Sequence, residues 1–414
     1  MPRDIFLPAR PRAVSAWVVA AILAWGLVVA FVCVRSVFWP RVHSLYPTYA
    51  AAGADWLAGK DLYYRDRPAE LHLDQYRYSP LVAALLAPFS LLPEQVGGVL
   101  WRLLNVGLFL GGWICWLRAA APVLIDRRLG AVMLLLGLPV ALASVNNGQP
   151  NTLITGLMLG ALAAAACNQW ALAATGLTLA AAVKGWPLAL ALLLAVAYPR
   201  RFAPWLLLAL LAMLALPFLL QRPEYVASQY ASWYRVVAED DRKMWPWELA
   251  YRDLWLLIRL WALPVSRGGY LMMQLGLAGV CALVVLAARR LGWTRKSLLA
   301  IVWALGAGWM MLCGPATESC TYIVLAPALT WALVASALPR PTLGRMVLPL
   351  AAYGLLLAGV CAGLAPRTSN VHAYGMQPLA ALLFLAGSLA GAAVHLGRPL
   401  LPRRKTTPAA PWAA

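Results

Sequence analysis

The chain has 414 residues, of which 63% are hydrophobic and only 12% charged, with a mean hydropathy of +0.72. Soluble domains carry about 25% charged residues, so a water-soluble fold is excluded. The net charge of +19 does not mark a nucleic-acid binder, because the basic residues fall mostly in short segments between apolar runs, where they orient helices rather than hold polyanions.

Apolar runs long enough for lipid, about 20 residues for a ~30 Å hydrocarbon core, recur along the whole length. They predict an all-α polytopic membrane protein with about twelve transmembrane helices. The first apolar stretch, Ala13 to Val34, is too long for a secretory signal and lacks a small-residue cleavage site, so it reads as a first span at 14–35. An outer loop, 39–78, follows; within it Tyr49 to Leu57 has the composition of a helix lying on the membrane surface. Ser79 to Leu92 reads as a half-helix or interfacial helix. Further spans are expected at 97–117, 129–145, 151–167, 170–184, 186–199, 203–220, 270–288, 297–313, 319–338, 346–364 and 374–396, with a second large outer loop at 221–267. Residues 1–402 thus form one integral membrane unit, and 403–414 a cytoplasmic tail. Seven cysteines (Cys33, Cys115, Cys167, Cys281, Cys313, Cys320, Cys361) fall almost all inside apolar runs without a CxxC pair. They read as small core residues, with no disulfide framework or metal knuckle.

Charge placement sets the topology. With the N-terminus inside, the inner segments carry 18 Lys/Arg against two acids, Asp4 and Asp126, while the outer ones hold 16 Lys/Arg and 13 acids. That asymmetry follows the positive-inside rule and places both termini in the cytoplasm. The segments 170–184 and 186–199 are each short for a span. Were they one kinked helix, everything downstream would invert and Arg289 to Lys296 would lie outside.

On this topology the outer face collects most polar residues outside the basic inner loops. In "SVNNGQPNTL" (Ser144 to Leu153), Asn147, Gln149 and Asn151 stand at a corner between two spans. Either they satisfy free backbone groups at two helix ends, or their carboxamides offer donors and acceptors to sugar hydroxyls or a phosphate. Pro150 fits the first helical position, with Gln149 near the cap, so the helix start would favour an anion. Lys184, in "AAVKGWP", has no acid within thirty residues on either side. It is either a snorkelling interfacial lysine or the cation for an anionic head group. The first outer loop contributes His43, Tyr49, Asp55, Asp74 and Arg77, and the second Arg252 with the run Glu239, Asp240, Asp241. Three adjacent acids converge poorly on one metal ion. Glu318, the only acid after Asp253, lies at the outer mouth of a span, suited to pairing with an arginine or to acting as a base. The membrane most simply fits a bacterial inner membrane.

"LAGKDLY" (Leu57 to Tyr63), "YRYSPLVAALLAPFSLLP" (Tyr76 to Pro93), "NNGQPNTL" and "KGWPLAL" (Lys184 to Leu190) resemble, in order and spacing, the polytopic glycosyltransferases of family 87, typified by bacterial α-1,2-mannosyltransferases. The resemblance implies a GT-C-type fold, a polyprenyl-phosphate sugar donor and inverting hexosyl transfer to a lipid or glycan acceptor at the outer surface. It also implies that Asn147, Gln149, Asn151 and Lys184 hold the donor, with Tyr49, Arg77 and Arg252 as further binding candidates. No cofactor is implied; a divalent metal has no ligand cluster to support it. The sequence departs from the family twice. An acid expected about fourteen positions before Gly59 is replaced by Leu45, and a late Ser-Trp-x-His-like motif is replaced by "GPATESCTY". A relocated base would then be Glu318, His43 or Asp55. Alternatively the chain is a catalytically silent binding subunit, for which the missing acid is the support. A lipid or sugar transporter would instead need polar residues at mid-membrane depth.

Overall fold

The computed structural model describes residues 15–63, 74–122, 125–338, 343–364 and 370–396. Their regular structure is all helical, with no strand among them. In chain order the helices are α1 (Ala16–Phe38), α2 (Tyr46–Ala58), α3 (Pro80–Ser90), α4 (Glu94–Ala119), α5 (Arg127–Asn146), α6 (Asn151–Ala166), α7 (Trp170–Val183) and α8 (Pro187–Ala197). There follow α9 (Pro199–Leu220), α10 (Pro223–Glu239), α11 (Leu254–Leu260), α12 (Arg267–Arg290), α13 (Arg295–Cys313), a 3-10 turn (Ser319–Val324), α14 (Ala326–Ser336), α15 (Leu343–Leu364) and α16 (Met376–Leu396). Each expected apolar segment coincides with a helix. Eight are long and apolar enough to cross a membrane, while α6, α7, α8 and α14 are shorter apolar helices. The chain is therefore an all-α polytopic membrane protein. The tail 403–414 lies outside the described residues.

The short pair α7 and α8 forms a hairpin. Trp170 at the start of α7 and Tyr198 just past the end of α8 are in ring contact, tilted by 45° with centroids 4.9 Å apart. One continuous helix would separate them by about 40 Å. The corner of that hairpin is Lys184-Gly185-Trp186, so Lys184 sits at the same end of the bundle as the α5–α6 turn.

The closest helix contact is the crossing of α4 and α6. A Cβ at Gly112 would collide with the Gly156 carbonyl, and one at Gly156 with the Leu108 carbonyl. In lipid no hydrophobic effect draws apolar helices together, so small residues that let backbones touch determine where helices cross. Near the crossing, Thr152 Oγ1 donates to Asn105 Oδ1 at 3.5 Å, and Asn105 Nδ2 donates to the Trp101 carbonyl at 2.7 Å. The crossing thereby fixes where the chain enters α6 relative to α4.

Two helices lie in the second outer segment, where hydropathy gave only a loop. In α10, Val226, Tyr230, Trp233 and Val237 recur at helical spacing on an otherwise polar sequence, which is the pattern of a surface helix rather than a span. Val226 and Val236 pack in a separate cluster with Ala52, Trp56, Ala83 and Ala87 of α2 and α3. Gln229 Oε1 accepts from Leu62 N at 2.9 Å, and Trp233 Nε1 donates to the Arg77 carbonyl at 3.1 Å. The helices α2, α3 and α10 make a small layer at one end of the bundle. Pro150, expected as the first residue of α6, is instead its cap: its carbonyl accepts from Ile154 N at 2.8 Å and Asn151 opens the helix.

The crossing gives a test. Gly156→Ala should cost about 1–3 kcal/mol through forced separation of α4 and α6, whereas Gly107→Ala and Gly111→Ala, where an added Cβ meets nothing within 4 Å, should be neutral or slightly stabilising. Thermal unfolding of the purified variants in detergent checks this.

Candidate functional site

The corner between α5 and α6 is held from behind. Arg102 of α4, only 2% exposed, reaches under it. Its Nη1 donates to Ser36 Oγ (3.0 Å) and the Gly98 carbonyl (3.1 Å), and its Nη2 to Ser44 Oγ (3.2 Å) and the Asn146 carbonyl (3.1 Å). Trp101 Nε1 donates to the Gly148 carbonyl at 2.7 Å, and Leu45 N to the Asn147 carbonyl at 2.9 Å. Gly148 has φ +62 and faces the Arg102 guanidinium, a left-handed position that glycine adopts without strain. These bonds consume the backbone acceptors of the turn and leave the side chains of Asn147 and Gln149 facing a cavity.

That cavity, of about 290 Å³, is walled by five stretches distant in sequence. The first outer segment supplies His43, Leu45, Thr48, Tyr49, Asp74, Arg77 and Tyr78; the α5–α6 corner supplies Asn147 and Gln149; the α7–α8 corner supplies Lys184 and Trp186. Asp240, Arg242 and Tyr251 come from the second outer segment, and Glu318 from the turn after α13.

Gln149 joins two of these walls. Its Nε2 donates to Glu318 Oε2 at 3.2 Å, and its Oε1 accepts from Asn151 Nδ2 at 2.8 Å and from the Cys320 thiol at 2.8 Å. A carboxylate accepts only, so it requires the NH2 end of the amide, and Asn151 and Cys320 hold the oxygen end away. Asn151 is fully buried and does not line the cavity; it orients Gln149.

The opposite wall is a chain of alternating charge. Asp74 Oδ1 lies 3.3 Å from Arg77 Nη1, and Arg77 Nε lies 3.1 Å from Asp240 Oδ2 as an ion pair without hydrogen-bond alignment. Asp240 Oδ1 accepts from Arg242 Nε at 3.3 Å, and Arg242 Nη1 donates to Glu318 Oε1 at 3.4 Å. Burial pulls Arg77 down, but the carboxylates of Asp74 and Asp240 outweigh it and hold the guanidinium above its ordinary pKa. The Arg242 guanidinium also lies over the rings of Trp245 and Tyr251, at 5.3 and 5.1 Å. Lys184 contrasts with these: its ammonium makes no hydrogen bond or ion pair among the described residues.

The structure thus brings together His43, Tyr49, Arg77, Asn147, Gln149, Lys184 and Glu318, with Asn151 directly behind. His43 is exposed and holds φ 49, a left-handed backbone position that is uncommon for a side-chain-bearing residue. Two expected residues are elsewhere. Asp55 does not line the cavity; it lies near the end of α2, where its carbonyl accepts from Lys60 N. Arg252 is buried behind the wall, its guanidinium donating to the Trp247 and Glu248 carbonyls and lying 4.2 Å from the Tyr374 ring centroid. Its backbone N–H donates to the Thr317 carbonyl at 2.6 Å, so it ties the second outer segment to the turn that carries Glu318. Desolvation lowers its pKa to about 10.

Sequence reading did not single out Arg242, Tyr251 or Trp186. Asp240 and Asp241 were visible only as an acidic run; the fold turns Asp240 to Arg77 and Arg242, and Asp241 to Lys243 and Arg267. Among the described residues no three His, Cys, Asp or Glu converge as metal ligands.

The family model for glycosyltransferase family 87 matches residues 76–315, a stretch that includes the α5–α6 corner, Lys184 and Arg242. No curated protein matches the chain.

Asp253 beside this wall carries a pH test. It caps α11, accepting from Leu256 N at 3.1 Å, and burial pushes its carboxyl up to about 7. The folded state therefore keeps a proton that the unfolded chain releases near pH 4, so this group's contribution to stability falls as pH rises from about 4 to 7. Asp253→Asn preserves the cap without the titration. Its melting temperature relative to wild type should rise across that window, by the equivalent of about 2–4 kcal/mol; a constant difference from pH 4 to 8 contradicts the assignment.

Proposed function

The chain belongs to glycosyltransferase family 87 and is a membrane glycosyltransferase; from that premise we propose that it moves a mannose-like hexose from a polyprenyl-phosphate sugar to a lipid or glycan acceptor. The observation that carries the proposal is the pairing, in one cavity, of an ammonium that makes no hydrogen bond or ion pair among the described residues and a carboxylate held by an amide. Lys184 takes the donor phosphate. Asn147 and Gln149 offer the sugar hydroxyls both donors and acceptors, and Tyr49 and Tyr78, joined hydroxyl to hydroxyl at 3.0 Å, line the same cavity.

In the transfer, the acceptor hydroxyl oxygen attacks the anomeric carbon as the bond from that carbon to the phosphate oxygen breaks. Attack from the face opposite the leaving group inverts the anomeric centre. The acceptor proton passes to a carboxylate, and the negative charge gathering on the polyprenyl phosphate is met by Lys184. Glu318 is the base proposed. Its family counterpart position in the first outer segment is Leu45, which also lines the cavity, so the carboxylate stands on another wall of the same space. His43 is the second candidate on geometry; Asp55, off the cavity, is the weakest of the three. The distribution of Lys and Arg supports placing this cavity on the outer side of a bacterial inner membrane, with both termini cytoplasmic.

A silent binding subunit is the second reading, favoured by the leucine at position 45. A transfer assay with polyprenyl-phosphate mannose, glucose and arabinose separates the two. Glu318→Gln should lower turnover by about 10²–10⁴-fold while donor binding persists, and Lys184→Ala should weaken donor binding and lower kcat/KM by about 10²-fold. Wild-type protein that binds a donor saturably through Lys184 but turns over none is the silent subunit. Full turnover by both variants removes the proposed site.

A further inference from the structure

The end of the bundle opposite the cavity holds a second constellation that glycosyl transfer does not use. Helix α13 runs from Arg295 to Cys313, next to the turn bearing Glu318, so Arg295 lies about 28 Å from that end. There a cavity of about 380 Å³ is lined by Arg200, Arg201, Arg289 and Arg295 with Tyr198 and Trp293. None of the four arginines makes an ion pair among the described residues. Arg289 and Arg295 each spend one N–H on a backbone carbonyl, of Val196 (3.3 Å) and Ala166 (3.0 Å). Arg200 and Arg201 are exposed and make no hydrogen bond through their side chains. Among the described residues the one acid at this end is Asp126, which caps α5 by accepting from Leu129 N at 2.7 Å. Four guanidinium groups around one concavity call for an anion, and guanidinium matches phosphate oxygens in geometry as well as charge.

Trp293 lines a second, adjoining cavity of about 560 Å³ between α13, α14 and α16. Its walls are mainly apolar, with Ile301, Ala304, Trp331 and Phe384, and with Thr294, Ser297 and His395 at the arginine end. From Thr294 to Ala304 the groove follows α13 for about 15 Å, half of a ~30 Å hydrocarbon core. The two cavities share Trp293 as a wall, and a phosphate pocket beside a groove one leaflet deep has the dimensions of a single phospholipid, head group and acyl chain.

We infer that the bundle binds one anionic phospholipid at this end, its phosphate among Arg200, Arg201, Arg289 and Arg295 and an acyl chain in the groove between α13, α14 and α16. The inference rests on these two cavities and not on the transfer chemistry. A zwitterionic phospholipid carries a cation on its head group that the arginines repel, so net negative charge is selected.

Native mass spectrometry of delipidated protein titrated with phosphatidylglycerol, and separately with phosphatidylcholine of the same chains, tests it. One phosphatidylglycerol should bind saturably and at least about tenfold more tightly than phosphatidylcholine. Arg200→Gln with Arg201→Gln should weaken phosphatidylglycerol about 10- to 30-fold and leave phosphatidylcholine unchanged. Gly391→Leu, at a groove position where an added Cβ meets nothing within 4 Å, should weaken both lipids without touching the arginines. Equal affinity for the two lipids, or an unchanged phosphatidylglycerol affinity in both variants, overturns the site. Displacement of phosphatidylglycerol by lower concentrations of polyprenyl phosphate overturns the choice of occupant.

Discussion

A buried guanidinium that pairs with no carboxylate among the described residues organises the site end of this bundle. Arg102 sits at a depth where an unsatisfied charge is expensive, and it is accommodated by oxygens from four places: Ser36 at the end of α1, Gly98 in its own helix, Ser44 in the first outer segment and Asn146 at the end of α5. Each of those groups is therefore held where Arg102 needs it. The glycine crossing of α4 and α6 places the arginine's helix against the α5–α6 corner, and Trp101 adds a third tie through the Gly148 carbonyl. With its backbone so engaged, the corner presents its amides to the cavity.

The same economy governs the rest of the cavity. Asn151 and Cys320 orient Gln149, and Gln149 with Arg242 holds Glu318. Arg252, buried behind, ties the loop carrying Arg242 to the turn carrying Glu318. Charges on one wall are matched in sequence from Asp74 to Glu318, and among the described residues the Lys184 ammonium, on another wall, is left without an ion pair. An anion entering the cavity would meet that ammonium without first breaking an ion pair. Fixed donors of this kind stabilise developing charge with little reorganisation.

The apolar helices were legible because each is a continuous apolar run, and lipid permits few alternatives to a helix for such a run. The surface helix α2 and the short α3 were legible for a related reason, namely helix-forming composition flanked by glycine or proline. Helix α10 escaped because its apolar residues are spaced around a polar sequence, so its mean hydropathy resembles a loop. Asn147, Gln149, Lys184 and Glu318 stood out as polar residues where lipid disfavours them, and all four line one cavity. Arg102 carries the same signal, a charge within an apolar run, but its partners lie in three other parts of the chain and in its own helix. Arg242 gave no local signal at all: it is one basic residue in a charged loop, and its meaning comes from Asp240 on one side and Glu318, distant in sequence, on the other. Asp55 and Arg252 show the converse, since a charged residue in an outer loop says nothing of which way the fold turns it.

The most direct measurement is an electron cryo-microscopy structure of the purified protein with a short-chain polyprenyl phosphate. The predicted result is phosphate density within about 3 Å of Lys184 Nζ, in the cavity bounded by the α5–α6 corner and Glu318. Phosphate density elsewhere, with the Lys184 side chain turned out to lipid, would contradict the assignment of this cavity as the donor site.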